Sequence, residues 1–287
     1  MWLPWQPAMV LAVFTAAFGL TVRRATTRKL AFAGALTREL SLVLVLYSIW
    51  QFFGSLGTVR EADGFVNGRT VYDIERTLHI ANEASFEHWF LPHSLLVQFW
   101  NGYYATAHAA ALAIFLVWLF VKHRDRYPRV RNTVALVTGV VLCMHFIPVA
   151  PPRLYPELGF VDTAKLYGQS VYGTVGHGLS DQMSAMPSMH VAWALIVGIG
   201  AITIGTSRWR WLVLVHTSFT VIAVTATANH WWLDGIVAGI IVGVVMARHW
   251  VFAAIRSAVH RDRGADRHRV VGPDPVHDRV GDTHAPV

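Results

Sequence analysis

The sequence SAMPSMH, at residues 184–190, lies between a polar stretch and a long apolar one. Pro187 has no amide hydrogen and is tolerated at the first position of a helix, where no hydrogen bond is lost. The segment therefore predicts a helix that starts at Pro187, holds Ser188 and His190 in its opening turn and continues to Thr206. Since this apolar run is long enough to cross a bilayer, we interpret the segment as the mouth of a membrane helix.

The amide N–H groups of such an opening turn have no partner within the helix and carry partial positive charge, so they can bind an anion. His190 adds a titratable group beside them. In the alternative interpretation, Ser188 merely caps the helix and His190 extends to water. The segment alone leaves both interpretations open.

The composition of the chain is that of a membrane protein. Of its 287 residues, 54% are hydrophobic and only 14% are charged, unlike the usual balance of soluble domains. The formal net charge is +7, but the Lys and Arg residues cluster at the ends of apolar runs, where they indicate topology. We therefore expect no nucleic-acid partner.

Seven apolar segments are long enough to cross a bilayer, at residues 5–22, 37–57, 94–121, 131–149, 188–206, 209–228 and 231–253. Basic clusters lie at alternate junctions and begin at Arg23, Lys122, Arg208 and Arg256. The positive-inside rule then places loops 58–93 and 150–187 outside and the C-terminal tail in the cytoplasm. The prediction is an all-α, polytopic helical bundle of the plasma membrane, with His190 opening on its extracytoplasmic face.

Each external loop carries a structural prediction. In the first, Val71, Ile74 and Leu78 recur at helical spacing and predict an amphipathic helix that lies on the membrane interface. In the second, four prolines between residues 148 and 156 end the preceding helix. They predict a stiff, extended path that delivers Arg153 to the membrane surface.

Three polar residues lie inside predicted spans. Tyr104 and His108 are four residues apart and so share one helix face, which usually points into the bundle. A pair that only ties helices together and a pair that contacts a substrate are both consistent with this spacing. His216 we interpret as structural.

The sequence NHWWLDG, at residues 229–235, begins the last apolar segment. His230 and Asp234 are four residues apart, so on a helix they share a face. The carboxylate can then hold one imidazole nitrogen and leave the other as a base or a nucleophile. Together with Arg153 and the helix mouth at His190, all on one side of the membrane, this pair indicates a phosphoryl-transfer site.

Three other interpretations use the same residues. A serine hydrolase would use Ser188 with a histidine and Asp234, but the chain has no G-x-S-x-G motif. A metalloenzyme would need clustered ligands, and the chain has no H-E-x-x-H pair. A transporter or lipid-binding scaffold would hold an anion without reacting; an inverted repeat would indicate it, and none is evident.

The motif PSMH at residues 187–190, followed by His230 and Asp234 and preceded by Arg153, resembles the type 2 phosphatidic acid phosphatase superfamily. The run PVAPPR at residues 148–153 looks like the inositol phosphorylceramide synthase-like branch of that superfamily. The resemblance covers roughly residues 37–253, including the order and spacing of six spans.

The resemblance implies a role for each site residue. His230 would attack phosphorus, Asp234 would orient it, His190 would protonate the leaving group and Arg153 would bind phosphate. Ser188, Tyr104 and His108 complete the predicted substrate-binding set. The expected partners are a membrane lipid phosphate and an acceptor, either water or an alcohol such as inositol; no metal or other cofactor is expected, and the oligomeric state is not indicated.

The chain departs from the superfamily motifs at five positions. Phe146 replaces a lysine and Leu154 a proline of the first motif, Met189 replaces a glycine of the second, and Ala223 and Val224 replace the serine and arginine of the third. Two phosphate-binding cations are therefore missing. This favours the lipid phosphotransferase branch over a soluble-type acid phosphatase.

The predicted organisation has three parts. Residues 1–30 form an N-terminal membrane anchor with its basic cytoplasmic junction, since basic residues follow the first apolar run and do not precede it. Residues 31–255 form the catalytic domain around a six-helix phosphatase-type core. Residues 256–287 mix Arg and Asp with few apolar residues and are predicted to be a disordered cytoplasmic tail.

Overall fold

The computed structural model of the protein describes residues 3–24, 27–56, 61–170 and 182–248. The predicted tail at 256–287 and residues 171–181 of the second external loop lie outside this part. Within it, regular structure is helical, and extended segments pair at an isolated parallel bridge between Val149 and Ser184. The predicted all-α fold class is confirmed.

The helices of the described part are α1 Trp5–Thr21, α2 Arg28–Leu56, α3 Glu61–Thr77, α4 Glu83–Phe90, α5 Ser94–Lys122, α6 Tyr127–Met144, α7 Thr163–Leu166, α8 Met189–Ile204, α9 Val213–Ala226 and α10 at residues 232–248. Short 3₁₀ turns lie at Val22–Arg24, Pro152–Leu154, Pro156–Leu158 and Arg208–Leu212. The contacts discussed below lie within one unit of the chain, Met1–Val245.

Four helices of the described part are long and apolar enough to cross a bilayer, namely Trp5–Arg24, Arg28–Ile49, Ser94–Lys122 and Arg208–Ala226. They overlap four of the seven predicted spans. Two other predicted spans are shorter than expected: α8 is apolar but has 16 residues, and α6 ends at Met144. The chain is thus a multi-pass helical membrane protein.

Helix α8 begins at Met189, so the prediction that Pro187 is its first residue was wrong. Ser188 is the N-cap: its backbone is extended, and its hydroxyl accepts a hydrogen bond from the amide of Val191 at 3.3 Å. A serine in this position satisfies one of the orphan amides of the first turn, which is why the helix starts after it. Met189 and His190 do lie in the opening turn, as predicted.

Helix α3 lies where an amphipathic helix was predicted, and one of its faces packs on the protein. Val71, Gly68 and Glu75 are buried, whereas Ile74 and, just after the helix, Leu78 are 42% and 61% exposed. Gly68 lies against the Tyr155 hydroxyl and the Ala150 carbonyl, where a side chain would collide. Close approach at a glycine and the polar bonds of Glu75 decide the packed face; its position on the membrane interface stays a prediction.

Trp231 is the centre of the core beneath the external helices. It is 1% exposed, and its indole N–H donates to the Ala150 carbonyl at 3.0 Å. The rings of Tyr72, Tyr155 and Phe160 pack around it with centroids 5.7–6.0 Å away. Because Trp231 directly follows His230, this packing ties the site to α3 and the second external loop.

Candidate active site

His230 is anchored at one nitrogen and unbonded at the other. Its Nδ1 lies 2.8 Å from the Ala185 carbonyl oxygen and 3.2 Å from Asp234 Oδ2, while its Nε2 is buried and has no hydrogen-bond partner among the described residues. A carbonyl oxygen only accepts hydrogen bonds, so Nδ1 carries the proton. In the neutral imidazole Nε2 then carries the lone pair that a nucleophile or a base requires.

The His230–Asp234 pair forms as predicted, but not for the predicted reason. His230 precedes α10, which starts at residue 232, so no helical face is shared. Instead Asp234 reaches back to the helix start, where its Oδ2 accepts the amide of Trp231 at 2.9 Å. This is the backward bond of a capping box, and it brings the carboxylate to the imidazole.

Asp234 also connects the two segments that carry the histidines. Its side chain is fully buried, and its carbonyl oxygen accepts the amide of Ser188 at 3.2 Å. The mouth of α8 and the start of α10 are thereby joined directly. The Ser188 amide is already used in this contact, whereas the next two amides, of Met189 and His190, have no partner among the described residues.

His190 lies in a cluster of aromatic rings. It stacks on Tyr104, with centroids 4.2 Å apart and ring planes at 18°, and its centroid is 3.9 Å from that of His108 and 5.5 Å from that of His230. His190 therefore does not extend to water, the alternative that the sequence left open. Its Nδ1 is buried without a partner among the described residues.

Tyr104 and His108 face the same cluster from α5. His108 Nδ1 lies 3.2 Å from the Tyr104 carbonyl oxygen, so the imidazole bonds the backbone of the preceding turn. Both rings instead contact His190. Their predicted position in the site is the one the structure shows; contact with a substrate remains a prediction.

Arg153 is buried in the protein, with 4% of its surface exposed, and its predicted place at the membrane surface stays a prediction. Its Nη1 donates to Asn229 Oδ1 at 2.7 Å, its Nη2 donates to Gln182 Oε1 at 3.4 Å, and its Nε is 3.9 Å from Asp162 Oδ2. These acceptors compensate for the burial of the guanidinium. Since Asn229 directly precedes His230, they also hold Arg153 beside the anchored histidine.

His216 lies apart from these residues and pairs with Tyr103. The Tyr103 hydroxyl is 2.6 Å from His216 Nδ1 and also donates to the His216 carbonyl at 3.1 Å. The bond joins α5 to α9, as expected of a structural histidine.

Three groups that organise the site escaped sequence reasoning. Asn229 and Gln182 hold Arg153, and the Ala185 carbonyl holds His230. Asn229 had a signal, because it is a buried polar residue directly before the histidine. The Ala185 carbonyl had none, because a backbone acceptor leaves no trace in residue identity.

Apolar residues stand at the positions where the chain departs from the superfamily motifs, and the structure shows where they lie. Ala223 and Val224 are 1% and 3% exposed within the core, and Phe146 is 60% exposed. None of them supplies charge to the site. Arg153 is therefore the cation that the motif positions retain.

The fold and the site define a class: a multi-pass, all-helical membrane protein with two neighbouring histidines, a carboxylate bonded to one of them, and a buried arginine bonded to the residue before that histidine. The chain belongs to the PAP2 superfamily, whose family model matches residues 69–248. That range includes every predicted site residue and leaves out α1 and α2. No curated protein and no solved structure matches the chain. Membership supports a phosphatase-type function.

Proposed function

We propose that this protein cleaves a phosphoester of a membrane lipid at the extracytoplasmic face of the plasma membrane, through a phosphohistidine formed on His230. The observation that carries the proposal is the bonding of that residue. Both of its Nδ1 partners are acceptors, so the buried Nε2 is the nitrogen with the free lone pair.

In the first step, His230 Nε2 attacks phosphorus, the bond from phosphorus to the leaving oxygen breaks, and His190 gives that oxygen a proton. In the second step, an oxygen of water or an alcohol attacks, the P–N bond breaks, and His190 takes the proton of the acceptor. The two rings are neighbours, with centroids 5.5 Å apart, so the nucleophile and the acid of this scheme lie in one site.

Charge on the equatorial phosphoryl oxygens would be stabilised by Arg153 and by the free amides at the start of α8. A guanidinium already held by Asn229 and Gln182 needs little rearrangement during the reaction, which is the condition for effective electrostatic stabilisation. Ser188 has a different part: its hydroxyl caps the helix and thereby orients these amides. The same bond argues against Ser188 as the nucleophile of a hydrolase.

We further propose transfer of an inositol-phosphate-like head group to an alcohol acceptor, as in the inositol phosphorylceramide synthase-like branch. The PVAPPR run at 148–153 and the apolar residues at 146, 223 and 224 support this assignment. A site with one retained cation suits a phosphodiester, which carries a single negative charge, better than a phosphomonoester dianion.

The test is lipid mass spectrometry after incubation of the purified protein with phospholipids, including one with an inositol head group, and polyprenyl phosphates, with and without lipid and inositol-type alcohols as acceptors. A product that forms only with the alcohol establishes transfer, and a product in water alone establishes hydrolysis. Binding without any product would instead make the protein a lipid-binding or transport protein. The metal-free mechanism predicts that a chelator leaves turnover intact and that orthovanadate competes with the lipid.

A further inference from the structure

Three glutamates of the external helices are fully buried: Glu75 on α3, and Glu83 and Glu87 on α4. A buried carboxylate is costly unless hydrogen bonds or opposite charge compensate for it. Glu75 Oε1 accepts the amide of Leu233 at 2.7 Å, and Glu83 Oε1 accepts the amide of Trp232 at 3.1 Å. Two carboxyl groups thus cap the start of α10, between His230 and Asp234 in the sequence.

Among the described residues, the two carboxyl groups have one ion-pair partner, Arg76. Arg76 Nη2 lies 3.3 Å from Glu83 Oε2 and 3.9 Å from Glu75 Oε2. The shorter distance is a hydrogen bond to Glu83, whereas Glu75 Oε2 is buried and has no donor among the described residues. One positive charge beside two buried carboxyl groups leaves one negative charge uncompensated.

We propose that Glu75 is a positioning residue that is held as a neutral acid, and that its hydroxyl bonds the Glu83 carboxylate so that the pair holds the start of α10. This one-proton pair would keep His230 and Asp234 in their reactive arrangement. The proposal deepens the proposed function and, in its catalytic part, rests on it. Glu75 acts through the helix start and not by contact with a substrate.

The electrostatic surroundings agree with a retained proton. Burial, together with the bond and the charge of Glu83, raises the pKa of the Glu75 carboxyl to about 9, against the lowering effect of the Leu233 amide. The groups that face Glu75 are Arg76 on its own helix, Glu83 on α4 and Asp234 on α10. Loss of the proton would place a second negative charge beside Glu83 and weaken the hold of both carboxylates on α10.

The proton itself is tested without activity, by infrared spectroscopy of the full-length protein in lipid nanodiscs. The experiment uses a Glu87→Gln background, because burial raises the pKa of Glu87 to about 8 and this carboxyl would give a second band. In that background the protein should show a protonated-carboxyl band at pH 7 that disappears as the pH is raised through about 9. Adding Glu75→Gln should remove the band, while adding Asp73→Asn, which changes an exposed carboxylate on the same helix, should not. A Glu87→Gln spectrum without such a band at pH 7 overturns the proposal.

The positioning role is tested by the rate of lipid turnover against pH. Glu75→Gln is neutral and keeps a donor and an acceptor, so its kcat at pH 7 should stay within about twofold of wild type, and it should remain active at higher pH than wild type. Glu75→Ala should lower kcat about tenfold or more with little change in KM, since it leaves the Leu233 amide without an acceptor.

An alkaline limit that is the same in wild type and Glu75→Gln contradicts the positioning role, and so does a Gln variant as impaired as the Ala variant. If Glu75→Ala does not fold, the Gln variant alone decides the question. A carboxyl band without turnover of any lipid would leave the one-proton pair standing while the proposed function and, with it, the catalytic part fail.

Discussion

His230 is held at Nδ1 by two acceptors that differ in charge. The Ala185 carbonyl, at 2.8 Å, is neutral, whereas Asp234, at 3.2 Å, supplies a negative charge. Either acceptor is sufficient to place the proton on Nδ1. The carboxylate alone can stabilise the positive imidazole that forms when Nε2 attacks phosphorus.

Asp234→Asn should therefore slow turnover, although the Ala185 carbonyl still accepts the hydrogen bond from His230 Nδ1. We expect kcat to fall between about 10-fold and about 150-fold, the range that corresponds to a hydrogen bond of about 1.5–3 kcal/mol with a charged group. KM should change little, because the charge matters only after attack. Steady-state kinetics check this, and full activity in Asp234→Asn would remove the carboxylate from the mechanism.

The two histidines should respond differently to substitution. His230→Ala should abolish any phosphoenzyme trapped with labelled substrate, because the nucleophile is gone. His190→Ala should lose more activity with poor leaving groups than with good ones, since a general acid matters most when the departing oxygen is basic. His216→Gln is the matched control, a histidine outside the cluster. Equal losses for both kinds of leaving group would contradict the role of His190.

Helix α4 illustrates how an external element is tied to the loop that carries Arg153. Glu87 is fully buried, and its carboxylate accepts the amide of Val161 at 3.2 Å. His88, the next residue, contacts the Gly159 carbonyl at 2.7 Å. Two adjacent side chains thus fasten α4 to the second external loop.

The burial of Glu87 predicts a pH dependence of stability. Burial raises the pKa of this carboxyl to about 8, more than the Val161 amide lowers it. Between the ordinary value of 4.5 and about 8 the folded protein holds a proton that the unfolded chain releases. Stability should therefore fall as the pH rises through this window, by at most about 1.4 kcal/mol per pH unit for this group.

Thermal unfolding in detergent from pH 5 to pH 8 measures this effect. Wild type should lose Tm as the pH rises, and Glu87→Gln should lose less, because its side chain carries no titrating proton. Glu157→Gln, at an exposed position of the same side of the protein, should follow wild type. A steeper loss of Tm in Glu87→Gln than in wild type would show that the sign is wrong.

The basic clusters predict how the chain is arranged across the membrane. In a Cys143→Ser background, which removes the single native cysteine, Glu157→Cys should react with a membrane-impermeant thiol reagent in intact cells. Asp125→Cys should react only after permeabilisation. Both positions are exposed in the structure, so a difference in labelling reports sidedness. The opposite pattern would place the site on the cytoplasmic face.

The sequence by itself determined the helical membrane fold and the family, and it predicted the residues of the candidate site. A long apolar run that crosses a bilayer as a helix satisfies its backbone hydrogen bonds within the run itself, so such a helix can be predicted from the local sequence. The residue types at 153, 190, 230 and 234 likewise carry their chemistry wherever the chain places them. The same reasoning predicted that Tyr104 and His108 lie on one face, because four residues make about one helical turn.

The tertiary structure alone decided how these residues are held. Three features depend on partners distant in the sequence. They are the Ala185 carbonyl that accepts from His230 Nδ1, the acceptors that bond the buried Arg153 guanidinium, and the packed face of α3. Backbone acceptors have no signature in residue identity. The state of Glu75 depends on desolvation and on its neighbours, and neither exists until the chain has folded.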